Sequence, residues 1–203
     1  SVMFEDLILN AGYVGLFAII FAETGLLIGF FLPGDTLLFS AGILAAAGVF
    51  QLPLLIIVCA IAAIIGDSVG YFVGSKYGRI LYSKDSEYFK KEHLQKAEAF
   101  YEKHGPIAIV LARFVPIIRT FAPTVAGVAK MDYFKFLTYN VIGGILWVVL
   151  GVMAGFYLGG LIPNLTEYIG FILLAIVVVS LAPIAFKLVK HTIEKKDTSK
   201  AKT

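Results

Sequence analysis

Five apolar stretches, at about 7–32, 36–74, 106–129, 133–162 and 168–189, take up most of this 203-residue chain and leave little sequence from which to build a soluble domain. A helix needs ~20 apolar residues to cross a bilayer at ~1.5 Å rise each, and every stretch reaches that length. Composition agrees, with 59% hydrophobic and 15% charged residues, well outside the soluble range. The expectation is an all-α integral membrane protein in which residues 1–189 form a single membrane domain. A lone cysteine, Cys59, excludes an internal disulfide and reads as a small core residue.

Positive charge sets the expected topology. Seven Lys and Arg lie between 76 and 103 and six Lys between 187 and 202, so the loop at about 76–104 and the basic tail at 190–203 are both expected on the cytoplasmic side. Between them the chain must cross an even number of times, yet three apolar stretches lie there. The 106–129 stretch is the one expected not to cross, because it carries Arg113 and Arg119, holds Pro116 and Pro123, and exits at Lys130, Asp132 and Lys135. It reads as a re-entrant hairpin entering from the cytoplasm, allowed only where protein or a watery cavity surrounds it. Residues 86–104 place Phe89, Leu94, Ala97 and Tyr101 between charges, an amphipathic or ordinary connecting helix.

The N-terminal half has the same plan, with arms at 12–32 and 36–48 broken at Pro33 and Gly34, then a span near 53–74. Glu23 lies ten residues before Pro33, as Arg113 lies ten before Pro123. A hairpin plus one span is an odd number of crossings, so two such units in tandem point in opposite directions. The expected architecture is therefore an inverted repeat, about 10–75 and 105–162, followed by a C-terminal transmembrane helix at about 167–189. The alternative is that 12–32 crosses fully.

Each arginine is roughly 2.5 to 3.5 kcal/mol uphill at a bilayer centre and needs a partner. Glu23 and Asp35 are equally out of place, and the first 75 residues hold no Lys or Arg to neutralise them. The four are expected to meet, with Glu23 facing Arg113 and Asp35 facing Arg119 if they pair simply. Arginine suits phosphate, since its planar guanidinium offers two parallel donors and keeps its charge. Half-helix N-termini at about Thr36 and Thr124 would add backbone N–H groups. Glu23 and Asp35 can be neutralised by protons, and Asp67 in IIGDSVGYF is a further candidate, or else bonds locally to Ser68. Substrate binding is thus assigned to Arg113, Arg119, Thr36 and Thr124, proton coupling to Glu23, Asp35 and Asp67, and the hairpin breaks to Pro33, Gly34, Pro116 and Pro123.

The stretches FAETGLLIGFFLPGDTLLFSAGILAAAG, GDSVGYFVGSKYG and HGPIAIVLARFVPIIRTFAPTVAG resemble the DedA family of bacterial inner-membrane proteins, over roughly 12–160. The resemblance implies opposed re-entrant hairpins, dependence on proton motive force, and a role in envelope lipid traffic, with undecaprenyl phosphate as the lipid. It also assigns function to Glu23, Asp35, Arg113 and Arg119. The expected activity is a flippase that returns undecaprenyl phosphate to the cytoplasmic leaflet. The partners are then membrane lipids and protons, with no cofactor, metal or nucleic acid.

Other classes fit parts of the same pattern. The ion pairs could be purely structural clasps. The same site could export small ions or drugs by proton exchange, or scramble phospholipids. An enzyme would want a nucleophile or an acid and base in the membrane, but none of the three histidines lies in an apolar stretch and no Gly-x-Ser-x-Gly appears. Gly66, Gly70 and Gly74 at four-residue spacing give a close-packing face for the monomer or for a homodimer. Trp147, mid-span, lines a path or fills space.

Overall fold

The computed structural model describes residues 2–25, 34–83, 99 and 103–162. In order these form α1 (Val2–Gly25), α2 (Gly34–Ala46), α3 (Leu52–Ser83), a 3-10 turn (Gly105–Ile107) running into α4 (Ala108–Ala112), α5 (Pro116–Val128) and α6 (Tyr133–Gly160). No strand occurs among the described residues. The break expected at Pro33, most of the 86–104 segment, the C-terminal helix at 167–189 and the tail lie outside them, as do residues 26–32 of the first arm.

Among the described residues two helices are long and apolar enough to cross a membrane, the Leu52–Tyr77 part of α3 with 26 residues and α6 with 28. Each is ~40 Å long. Both carry apolar side chains on an uncovered face: Ile57, Ile61 and Ile65 on α3, and Ile142, Leu146 and Leu150 on α6, are all 40 to 55% exposed. Continuous apolar faces of this kind are matched by hydrocarbon rather than water. The opposite faces bury Leu55, Cys59, Val148 and Val152 with Ile20 of α1 and Leu38 of α2. Helix α3 does not stop where the cytoplasmic loop was expected, near 76, but continues to Ser83, since no proline interrupts KYGRILYS.

The 106–129 stretch is not one helix. It breaks at Arg113, Phe114 and Val115, leaving α4 with 5 residues and α5 with 13, ~20 Å at most and too short to cross singly. Proline chemistry sets the break. Val115, the residue before Pro116, is extended at φ −115° and ψ 105°, as the proline ring requires of its predecessor. Pro116 then opens α5, where its missing N–H leaves no bond unmade.

Two expectations fail here. Pro123 is not a hairpin break but sits inside α5. The helix tolerates it at the loss of the N–H that would bond the carbonyl of Arg119, four residues earlier. Thr124 consequently stands eight residues past the start of α5, not at a half-helix N-terminus. Thr36 does lie in the first turn of α2.

A constant shift of 82 residues relates Gly34 to Pro116 and Ala46 to Val128, the ends of α2 and α5. The same shift relates their terminations. The N–H groups of Gly48 and Val49 bond the carbonyls of Ala45 and Leu44, and those of Lys130 and Met131 bond Gly127 and Ala126, all at 2.9 to 3.0 Å. Both are Schellman ends with a left-handed residue, Gly48 at φ 80° and Lys130 at φ 52°. The ten-residue match of Glu23 to Pro33 with Arg113 to Pro123 is therefore not the frame in which these elements correspond.

The packing is reciprocal. The short α2 lies along the long α6, and the short α5 along the long α3, these being the two most extensive helix pairs among the described residues. Glycines let the backbones touch. A Cβ at Gly42 would overlap the carbonyl of Val152, and one at Gly74 would overlap that of Thr124. Between helices in lipid no hydrophobic force acts, so this close van der Waals contact is what holds them. Gly66 meets α1, while Gly70 and Gly74 meet α5, so the glycine face serves packing within the monomer. The Tyr71 hydroxyl donates to the carbonyl of Met131, and Asp132 caps α6 by accepting from the Lys135 N–H at 3.0 Å.

Candidate functional site

Asp67 and Trp147 stand well inside the two long helices, Trp147 at the midpoint of α6 and ~20 Å from either end. Arg113 stands at the break after α4, and Arg119 in the first turn of α5. That turn is the helix end where a cation is disfavoured, so Arg119 needs anionic company. It has two carboxylates. Its Nη2 donates to Glu23 Oε1 at 2.5 Å and its Nη1 to Asp35 Oδ1 at 2.6 Å. Glu23 comes from α1 and Asp35 from the first turn of α2, where an acid is favoured. Gly34 makes their approach possible, because a Cβ there would overlap the Glu23 carboxylate.

Arg113 does not face Glu23, as a simple pairing would have it. Its Nη2 donates to Asp67 Oδ2 and to Asn140 Oδ1, both at 2.5 Å. Asn140 is fully buried and its Nδ2 donates to the carbonyl of Ile64 at 3.0 Å, tying α6 to α3 through the arginine's partner. Gly143 and Gly144 leave the space the guanidinium occupies, a Cβ at either coming within 3.2 to 3.4 Å of Arg113 side-chain atoms. Arg113 Nε is buried without an acceptor. Asp67 therefore makes a long-range pair rather than a bond to Ser68, whose hydroxyl donates to the Ile64 carbonyl at 2.8 Å.

Trp147 joins the two arginines. Its ring centroid lies 5.9 Å from the guanidinium carbon of Arg113 and 5.5 Å from that of Arg119, within cation–π range. Its Nε1 donates to Asp35 Oδ1 at 2.8 Å. Glu23, Thr24, Asp67, Arg113, Arg119, Thr120 and Trp147 line one small cavity of about 10 Å³, on the order of a single water. The cluster is graded in exposure. The side chains of Arg113 and Asp67 are 5 and 6% exposed, that of Arg119 17%, and that of Asp35 56%.

Five residues singled out from sequence, Glu23, Asp67, Arg113, Arg119 and Trp147, thus line the cavity, and Asp35 stands at its rim. Thr36 is exposed and outside the lining, and Thr124 is fully buried at the α3–α5 contact beside Gly70 and Gly74. Asn140, Thr24 and Thr120 were missed. A lone asparagine in the apolar run LTYNVIGGILW was the available signal for Asn140.

The VTT domain matches residues 32–157. The chain is 46% identical to Protein DedA of Escherichia coli (strain K12) over 182 residues, 88% of this chain and 83% of that protein. It is 44% identical to an uncharacterized membrane protein of Mycobacterium tuberculosis over 172 residues, 83% and 75% of the two chains. It is 35% identical to the inner membrane protein YqjA of Escherichia coli (strain K12) over 148 residues, 72% and 67% of the two. No solved structure matches significantly.

Proposed function

The chain belongs to the DedA family of membrane proteins, and from that membership and the buried charge cluster we propose that it is a lipid transporter. It carries undecaprenyl phosphate from the outer to the cytoplasmic leaflet of the bacterial inner membrane, coupled to protons. The observation that carries the reading is that both arginines, on separate sides of a helix break, line one cavity with an indole between them. Guanidinium forks are the side chains suited to a phosphate in low dielectric, and the buried Arg113 Nε is a donor still without an acceptor. Family membership supports a lipid role, and the reciprocal packing of α2 on α6 and α5 on α3 supports two opposed hairpin-plus-span units.

Charge counting supports the protons. Among the described residues the charged partners of Glu23, Asp35 and Asp67 are Arg113 and Arg119, so the ionised cluster carries one net negative charge and one proton makes it neutral. A cavity the size of one water does not admit a phosphate as it stands. A carboxylate must first leave its arginine, which protonation of Glu23 or Asp35 accomplishes. The lipid tail stays in the bilayer while the head group passes between the hairpins.

The test is head-group translocation by the purified protein in vesicles, with undecaprenyl phosphate compared against ordinary phospholipids. Faster movement of the polyprenyl phosphate, dependent on pH in wild type and flattened by Glu23→Gln with Asp35→Asn, is expected. Equal rates for all lipids would make the protein a scramblase, and a pH response untouched in the double variant would remove the acids from proton coupling.

A further inference from the structure

Two donors at the rim of the cavity converge on a single oxygen. Asp35 Oδ1 accepts from Arg119 Nη1 at 2.6 Å and from Trp147 Nε1 at 2.8 Å, so side chains of three helices meet at one atom. The donors are largely enclosed, the Arg119 side chain 17% exposed and Trp147 6%, whereas the Asp35 side chain is 56% exposed. The acceptor is the partner free to swing out. Once it does, an indole N–H and a guanidinium arm are left desolvated without an acceptor, which is costly for both. The seat demands another oxyanion.

We infer that Trp147 is a substrate-binding residue and that Asp35 is the protein's own stand-in for the phosphate, which enters by replacing the Asp35 carboxylate between Arg119 and Trp147. This rests on the reading that the cavity receives a phosphate head group. A phosphate monoester fits the seat, since one of its oxygens can take Nη1 of Arg119 while another takes the indole N–H, with Glu23 keeping its place on Nη2. A head group bearing its own cation would place that charge against two guanidiniums. The indole ring, 5.5 Å from the guanidinium carbon of Arg119 and 5.9 Å from that of Arg113, then leads from the less enclosed arginine to the more enclosed one.

The chain has a single tryptophan, so its emission reports this seat alone. Purified full-length protein in neutral detergent is titrated with decyl phosphate and, separately, with inorganic phosphate, following emission and binding heat. Decyl phosphate is expected to shift the emission saturably, Asp35→Asn to tighten its apparent Kd at least tenfold, and Trp147→Phe to weaken it at least tenfold in protein that melts like wild type. Inorganic phosphate competing equally well would mean the seat reads the phosphate alone, which leaves the assignment of Trp147 intact. Trp147→Phe binding within threefold of wild type, while Arg119→Lys loses binding, would overturn the inference and leave the phosphate reading standing. If Trp147→Phe does not fold, Asp35→Asn decides: binding heat with unchanged emission overturns the inference. Binding in none of the forms, Asp35→Asn included, would overturn both.

Discussion

In the proposed phosphate site Arg113 acts through its shape as much as through its charge. One Nη2 serves both Asp67 and Asn140 and Nε is still a buried donor without an acceptor, whereas lysine has a single nitrogen and would have to serve those two residues and a phosphate with it. Arg113→Lys is expected to lower binding of a phosphate lipid at least tenfold in equilibrium titration, and affinity within twofold of wild type would count against the guanidinium clamp. Asp67→Asn tests the inner pair. It leaves a guanidinium buried without a counter-charge, so thermal melting in detergent should report a loss of about 3–5 kcal/mol, and a loss under about 1 kcal/mol would show the pair to be dispensable. The charges were legible in the sequence because a charged residue in an apolar run demands explanation wherever it falls. Their pairing was not. Spacing along the chain matched Glu23 with Arg113, but contact depends on how α3 and α6 rotate their polar residues inward, and this brought Asp67 and Asn140 to Arg113 and left Arg119 to both remaining acids.

At the scale of the element, two prolines seven residues apart have opposite effects. Pro116 forces its predecessor out of the helix and starts α5, while Pro123 merely removes one bond from a helix already packed against α3. Local chemistry made the first break readable. The second depended on tertiary packing, invisible in a proline alone, and Thr124 was misplaced with it. The matched ends of α2 and α5 give a further test. Gly48 takes the left-handed conformation freely, but Lys130 takes it at φ 52° with a Cβ, at a strain of ~1–2 kcal/mol. Lys130→Gly is expected to stabilise the protein by about 1 kcal/mol, read as a raised melting temperature, whereas a lowered one would mean that the lysine side chain has a compensating contact.

For the whole molecule, the apolar stretches and positive clusters of the sequence announced an all-helical membrane protein, and two crossing helices with uncovered apolar faces agree. The reciprocal arrangement was less accessible, because glycines that bring α2 onto α6 and α5 onto α3 look in sequence like glycines of any packed helix. That arrangement decides which parts can travel together. In the proposed transport cycle the units that rock are not the first and second halves of the chain, since each half lends its short arm to the other's long helix. A covalent staple joining α2 to α6 should leave vesicle translocation near the wild-type rate, while one joining α3 to α6 should arrest it, and the reverse result would return the moving boundary to the loop between the halves. Cutting the chain in that loop would likewise yield two fragments that each lack a bed for one helix, so neither should become protease-resistant until the other is supplied.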